Sequence, residues 1–270
     1  MKAARFDYIR PASVGDAIAS LGSTGAKPVS GGQSLGPMLN LRLARPSVLV
    51  DLARLSDLRA VRESDGGVHF GAAITHAEFE DAIHPDPTNG ILSKVASGIA
   101  YRAVRNRGTI GGSLAHADPA ADWPTVLLAL GASVEIMGPR GKRTSTIDDL
   151  IRGAFETSLD ADEIITSVFV PRLSSGARWA YVKSCRKVGE FAESMCAILV
   201  DPANGVSRIV IGAIERKQII GNTREAVSDP DWAINALAAA GLGDDPATNR
   251  LHRATIARAI HDLQLEGADA

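Results

Sequence analysis

Two short stretches of the chain combine paired glycines with small polar side chains. One is SGGQSLG, Ser30 to Gly36; the other is RNRGTIGGSLAHADPAAD, Arg105 to Asp122. A backbone stripped of Cβ atoms lets peptide N–H groups converge on phosphate oxygens without any cationic side chain. Each such donor to a charged oxygen contributes roughly 1.5–3 kcal/mol. Ser34, Thr109 and Ser113 add hydroxyls beside the glycines, and Gln33 adds an amide. Asp118 and Asp122 are acceptors suited to sugar hydroxyls, and Asp122 is equally suited to cap a helix beginning at Pro124. The pattern predicts two loops that hold one large phosphate-containing cofactor between them.

Other chemistries fit these residues less well. Asp51 lies about twenty residues after Gly31, the offset of a ribose-binding acid in a dinucleotide fold. That fingerprint needs G-x-G-x-x-G, and Gln33 stands where its middle glycine belongs. A plain structural turn also remains open for this loop. His116 and Asp118 are two metal-type ligands without a third, so no metal site is predicted, while an acid–base role for His116 stays open. The serines lack the GxSxG elbow of a hydrolase. Arg102, Arg105 and Arg107 read as a solvated face, a partner contact or a phosphate contact, and the other histidines as surface or packed groups.

The elements around the loops alternate in type. Ser13 to Asp16 is a capping box opening a helix to Leu21, Lys27 to Ser30 a short strand, Met38 to Ala44 a short helix and Ser47 to Leu52 a buried strand. From Val61 the rhythm changes. Gly67 to Ile74 reads as a strand, and Thr75 with Glu78 as a second capping box for a helix to Ile83. Leu92 to Val104 has helical spacing; strands follow at Ser133 to Met137, Lys142 to Ile147 and Glu163 to Val170. Leu173 to Ala177 is the best linker. Beyond it, Trp179 to Ser184, Met195 to Asp201 and Val206 to Ile214 read as antiparallel strands. Two helices close the chain, Asp231 to Leu242 and His252 to Leu265.

Bulk properties narrow the classes. With 270 residues, 45% of them hydrophobic, the chain can bury a substantial core. Its 29 basic and 31 acidic residues and 4% aromatics do not suit a nucleic-acid surface. Cys185 and Cys196 form no CxxC pair, so no cluster or zinc site is expected from cysteine. No run of about 18 apolar residues and no apolar signal core is present, so a cytoplasmic protein is expected.

SGGQSLGPMLNLRLARPSVLVDL and RNRGTIGGSLAHADPAADWP resemble the two FAD-binding loops of the medium flavoprotein subunit of molybdenum hydroxylases. That family includes carbon monoxide dehydrogenase, xanthine dehydrogenase and bacterial N-heterocycle dehydrogenases. CRKVGEFAE, Cys185 to Glu193, resembles a third family motif, RKxGDYA, and HRATIARAI is also family-like. The resemblance spans essentially the whole chain and implies an α+β fold. A two-part FAD-binding domain of the vanillyl-alcohol-oxidase (PCMH) type would fill residues 1–173. Within it, about 1–55 would form a small, mainly parallel part and 60–173 a larger antiparallel one. Residues 177–270 would form a C-terminal domain of a three-stranded antiparallel sheet with helices.

The same resemblance implies site residues. Val29, Ser30, Gly31, Gly32, Gln33, Ser34 and Leu35 would form the first pyrophosphate loop. Thr109, Ile110, Gly111, Gly112 and Ser113 would form the second, with Asp118 and Asp122 on sugar or ribityl hydroxyls. Ile99 and Ala100 would line the cofactor, Ile164 and Ile165 would pack near the adenine, Lys183 would approach the flavin ring and Phe191 would lie against it. Ser30 replaces a usual Ala, Ser113 a usual Asn or Asp, Glu190 an Asp and Phe191 a frequent Tyr.

By that resemblance the chain is an FAD-carrying electron-transfer subunit with no catalytic side chain or metal of its own. It would work with a large molybdopterin subunit and a small subunit holding [2Fe–2S] clusters, as a dimer of heterotrimers, away from nucleic acid and membrane. A stand-alone FAD oxidoreductase of the same fold and a flavin-free scaffold are the alternatives.

Overall fold

The computed structural model describes residues 2–229, 231–242 and 245–265. Three sheets carry the architecture, together with a two-stranded ribbon, Ile151–Gly153 with Glu156–Thr157. The first sheet is parallel and three-stranded, in the order Asp7–Ile9, Val48–Asp51, Ala26–Val29. Helix Val14–Leu21 covers it. Ser13 caps that helix by accepting from the Asp16 amide, and its hydroxyl donates to the Asp16 carboxylate. Val14, Ala17, Ile18 and Leu21 recur at helical spacing and are buried against Val50 and Leu52.

The second sheet is antiparallel. Its five strands run in the order Val61–Ser64, Gly67–Gly71, Ile164–Pro171, Ser133–Gly138, Gly141–Thr146. A register shift between Ile165 and Ser167 interrupts its central strand. On its other side the register with Gly67–Gly71 is unbroken, and one step beyond Ser167 and Gly71, Thr166 O accepts from the Ala72 amide at 3.0 Å. This bond holds the backbone on which a glycine loop later rests.

The third sheet is also antiparallel: Arg178–Ser184, Ser194–Asp201, Val206–Gly212 and Ile219–Gly221. The C-terminal sheet therefore has four strands where three were expected; the short Ile219–Gly221 pairs with Ile209–Ile211. Helices Thr223–Ser228, Trp232–Ala239 and Pro246–Leu265 lie in this part of the chain. Ala226, Ile256, Ala259 and Leu263 join its core with Ala180, Val182, Cys196, Ile198, Ile209 and Ile211.

Helix Asp122–Leu130 joins the second and third sheets, and all nine of its residues are buried. It packs with Val134, Ile136 and Val168 as well as with Ala197, Leu199 and Val210. Both its ends are held by the third sheet. Tyr181 and Lys183 bind Asp122 at the N-terminal end, and Arg208 donates to the carbonyls of Leu128 and Ala129 at the other. The expected linker at 173–177 is fastened too. Leu173 is buried, and Asp201 accepts from the Ser174 amide at 3.0 Å and its hydroxyl at 2.6 Å. Burial alone would raise the Asp201 carboxyl; hydrogen bonds from Ser174 and Asn204 bring it below its ordinary range.

Several boundaries differ from the sequence reading. Leu35–Asn40 replaces Met38 to Ala44 as the helix after the first loop, because the turn closes at once through Gly36 N on Gly32 O. The periodic stretch Leu92 to Val104 is two helices, Ile91–Ser97 and Arg102–Arg105. Gly98 ends the first, and Ala100, at φ 43°, reverses the chain between them. Asp122 lies inside its helix, and Ala121 is the residue at the cap position, because the Asp122 side chain faces the third sheet. The second capping box is reciprocal as expected, but its helix stops at Glu80.

The central helix approaches the third sheet where Gly212 faces Thr125. A Cβ on residue 212 would stand 2.0 Å from Thr125 Oγ1 and 2.8 Å from Met195 Cγ. Gly212→Ala is expected to destabilise the chain by about 1–3 kcal/mol, the usual cost of overpacking. Gly176→Ala, whose Cβ meets nothing within 4 Å, is the control in the same thermal melts. Equal melting temperatures for the two variants would remove this contact from the account.

Candidate cofactor site

The second glycine loop is stapled to the backbone that continues from strand Gly67–Gly71. Ile110 N donates to Ile74 O at 3.1 Å, Gly111 N to Ala72 O at 2.9 Å, and His76 N to Gly108 O at 2.9 Å. Thr75 and Thr109 form an isolated antiparallel bridge. Thr109 then caps helix Ile110–His116 by accepting from the Gly112 amide, and Ser113 N reaches Thr109 O. The amides of Ile110, Gly111, Gly112 and Ser113 are thus spent on the protein itself. Ile110 is wholly buried.

The first loop lies against the second. Thr109 Oγ1 donates to Ser30 Oγ at 3.1 Å, and Arg107 Nε to Gly31 O at 3.3 Å. A Cβ on Gly31 would stand 2.0 Å from Arg107 O, so only glycine permits this approach. Gly32 turns the chain at φ +70°, and Gln33 Nε2 folds back onto Gly31 O. Among the described residues, no acceptor lies in hydrogen-bonding geometry with the N–H groups of Gly31, Gly32, Gln33 and Ser34. Val29 ends its strand, Leu35 begins the helix beyond, and a Cβ on Gly36 would meet nothing within 4 Å. Open amides on one loop, backed by a second that is fastened from Ile110 to Ser113, form a cradle for an anionic group.

This division corrects one expectation about the glycines. The missing Cβ of Gly111 does not face a ligand: it would stand 2.4 Å from Ala72 Cβ and 2.8 Å from Ala72 O. The bareness of Gly31 and Gly111 serves backbone packing, and the loops owe their shape to it.

The remaining residues fall into groups. Asp122 is 5% exposed; its Oδ1 accepts from Tyr181 Oη at 2.7 Å, and both its oxygens from Lys183 Nζ at 3.1 Å. Burial holds its carboxyl above the ordinary range, although Lys183 and Tyr181 pull it down. Lys183 Nζ also reaches Gly98 O, next to Ile99 and Ala100. Ile99 bridges Gly189 in parallel, bringing the Phe191 loop to the end of helix Ile91–Ser97. Phe191 itself is 67% exposed. Asp118 accepts from Ala120 N and shapes the turn before the central helix. Ile164 and Ile165 are buried in separate core clusters, the first beneath the parallel sheet and the second around the central helix.

His116 is half-buried against Phe155, and burial lowers its pKa. Asp51, the acid at the dinucleotide-like offset, accepts from Ala53 N and pairs with Arg10. The three arginines have different tasks: Arg102 and Arg105 bind Glu80, Arg102 also binds Asp81, and Arg107 touches the first loop. Sequence reasoning missed Tyr181, Ala72 and His76 as builders of the site. Tyr181 was legible in principle, because it shares a strand face with Lys183 two residues on. Ala72 and His76 carried no local signal. An open polar cleft of about 750 Å³, lined by Arg143, Asp148 and Lys217 among others, contains none of the expected site residues.

His76 links the second loop to the central helix. Its Nδ1 accepts from Trp123 Nε1 at 3.0 Å, and a Cβ on Gly108 would meet its Nε2 at 2.7 Å. Burial, with help from the Arg105 cation, lowers its pKa to about 4, so the ring is neutral at neutral pH.

A parallel sheet and an antiparallel sheet, with two interlocked glycine loops, define an FAD-binding domain of the two-loop kind. Residues 4–173 match the family described as the FAD binding domain in molybdopterin dehydrogenase, and the chain belongs to it. More narrowly, it is a medium, FAD-binding subunit of the molybdenum hydroxylase type, an oxidoreductase flavoprotein component. It is 38% identical over 235 residues to the nicotine 6-hydroxylase medium subunit of Paenarthrobacter nicotinovorans, covering 84% of this chain and 82% of that one. In structure it is similar to carbon monoxide dehydrogenase from Hydrogenophaga pseudoflava, with TM-score 0.89, 32% identity and coverage of 98% and 99%. Quinoline 2-oxidoreductase from Pseudomonas putida 86 gives 0.82 at 34% identity, covering 97% and 98%.

The distinct roles of the glycines can be separated. Gly111→Val is expected to lower the melting temperature of the FAD-free chain, since the side chain collides with Ala72. Gly36→Ala is expected to leave that temperature unchanged. An unaltered melt for Gly111→Val would show that the loop yields at Ala72. His76 has a folded-state pKa depressed from 6.5 to about 4. The unfolded chain therefore takes up its proton first, and stability falls as pH drops from about 6.5 towards 4, by on the order of 3 kcal/mol in full. Denaturant titrations across that range should show a shallower acid loss in His76→Gln than in the parent chain; parallel slopes would refute the assignment.

Proposed function

We propose that the chain carries electrons between an iron–sulfur partner and an external acceptor, with FAD held across the two glycine loops. The observation that carries this reading is the set of unspent amides at Gly31 to Ser34, beside a second loop whose Ile110 to Ser113 amides are committed. Four charge-assisted donors at roughly 1.5–3 kcal/mol each suffice to retain a pyrophosphate. Ser30, Ser34 and Thr109 add hydroxyls, with Thr109 already oriented by Gly112 N and Ser30. Val29 and Leu35 bound the first loop, and Gln33 stiffens it from within. Gly112 and Ser113 present the exposed side of the second loop.

Asp122, Asp118, Lys183, Ile99, Ala100 and Phe191 supply the flavin and sugar side of the site, and Ile164 and Ile165 its packed support. When bound, FAD supplies a carrier that takes up electrons singly and releases them singly or in pairs. No side chain of this chain need move a proton. Its residues bind, orient and insulate. The implied partners are a large molybdopterin subunit and a small subunit with [2Fe–2S] clusters, assembled as a dimer of heterotrimers in the cytoplasm. The medium-subunit names of the relatives and the near-complete overlap with two solved oxidoreductases support this reading.

The purified chain is expected to be yellow and to retain FAD on gel filtration. Phe191→Ala is expected to change flavin fluorescence or the rate of acceptor reduction while leaving the melt of the FAD-free chain unchanged. A colourless chain that takes up no added FAD overturns the function, and an unchanged Phe191→Ala flavoprotein takes Phe191 out of the site.

A further inference from the structure

The cations that open the second motif have a use beyond surface charge. Arg105 is only 11% exposed. Its guanidinium grips Glu80, the last residue of helix His76–Glu80, through Nε and Nη2 at 2.7 Å each. The remaining nitrogen, Nη1, donates to the carbonyls of Ile99 at 2.9 Å and Ala100 at 3.1 Å. Arg102 braces the same carboxylate from outside at 3.0 Å and binds Asp81 as well. One guanidinium thus ties a helix end to two successive carbonyls, which the planar fork of arginine can do and a lysine ammonium cannot.

Those carbonyls belong to a strained turn. Ala100 sits at φ 43°, a left-handed conformation that costs a residue with a Cβ roughly 1–2 kcal/mol. Such a turn persists where its surroundings over-determine it. Its product is a seat for the loop 185–193. Gly189, at φ +90°, bridges Ile99 in parallel, and a Cβ there would stand 2.4 Å from Ala100 O. Two positions on, Phe191 projects at 67% exposure, beside Val188 at 87%.

We infer that Arg105 is a positioning residue for the Phe191 loop: it locks the Ile99–Ala100 turn on which Gly189 docks. The first arginine of the second motif and the glycine of the third are then one device, joined through two backbone carbonyls. This inference rests on the FAD reading above, since that reading is what gives the position of Phe191 a consequence.

The test uses the full chain loaded with FAD. Arg105→Lys, Arg105→Gln, Gly189→Ala and the double variant Arg105→Gln/Gly189→Ala are compared by FAD release rate and by the visible circular dichroism of the flavin. The melt of the FAD-free chain is followed in parallel. Arg105→Gln and Gly189→Ala are each expected to speed release by about three- to tenfold and to shift the dichroism in the same sense. The double variant is expected to go no further than either single change, and Arg105→Lys to behave like Arg105→Gln. Arg105→Gln that melts lower but keeps parental release and dichroism overturns the inference. So do fully multiplicative rate effects in the double variant, and so does rescue by lysine. A parent chain that takes up no FAD defeats the functional reading itself; a parent that binds FAD with indifferent variants defeats only the role of Arg105.

Discussion

Between Gly31 and the carbonyl of Arg107 there is no room for a side chain: a Cβ would stand 2.0 Å from the oxygen. That backbone-on-backbone approach sets the separation of the two loops, and the rest of the site follows from it. Thr109 can reach Ser30, and Arg107 can reach Gly31 O, only because the chains are this close. The second loop can press forward because it is itself fastened from behind, through Ile74 O, Ala72 O and the His76 amide. Ala72 is held in turn by its amide on Thr166 O, where the sheet ladder runs on past Gly71. A sheet strand, a small residue and two bare glycines thus act in series, and each depends on the one before it.

The central helix extends this logic to the C-terminal sheet. Asp122, buried and bound by Tyr181 and Lys183, is costly to desolvate and strongly destabilising if left unpaired. Its pairing therefore selects one arrangement of helix and sheet. Arg208 closes the other end of the helix, and Thr125 against Gly212 sets the approach in the middle. The cradle and the Lys183 strand are held in register because one buried helix touches both. Trp123 completes the circuit through neutral His76 to the second loop.

Much of this was legible before any coordinates. The Ser13 cap (without the reciprocal half of its expected box), the capping box at Thr75, the Val14, Ala17, Ile18, Leu21 spacing and the antiparallel strands from Met195 and Val206 are short-range signals, and local physics governs them. The helix drawn through Leu92 to Val104 ends at Gly98, and Ala100 takes a positive φ with its carbonyl on Arg105, a turn that apolar spacing does not reveal. The fourth strand of the last sheet escaped notice because Ile219–Gly221 is too short to show an alternation.

By itself the sequence determined the glycine pairs, the small hydroxyl residues around them, the family motifs and hence the class of cofactor, since these depend on residue type and spacing alone. Only the tertiary structure decided which glycine does what. The direction in which an absent Cβ would point depends on segments dozens of residues away: Ala72 for Gly111, Arg107 for Gly31 and Ala100 for Gly189. It likewise made Asp122, read equally as sugar ligand and cap, a buried partner of Tyr181 and Lys183, and made Arg105 a strut while Arg102 and Arg107 stay exposed. The physical reason is the same in each case. Whether a bare backbone faces a ligand or a neighbouring chain is settled by non-local packing, which no window of sequence contains.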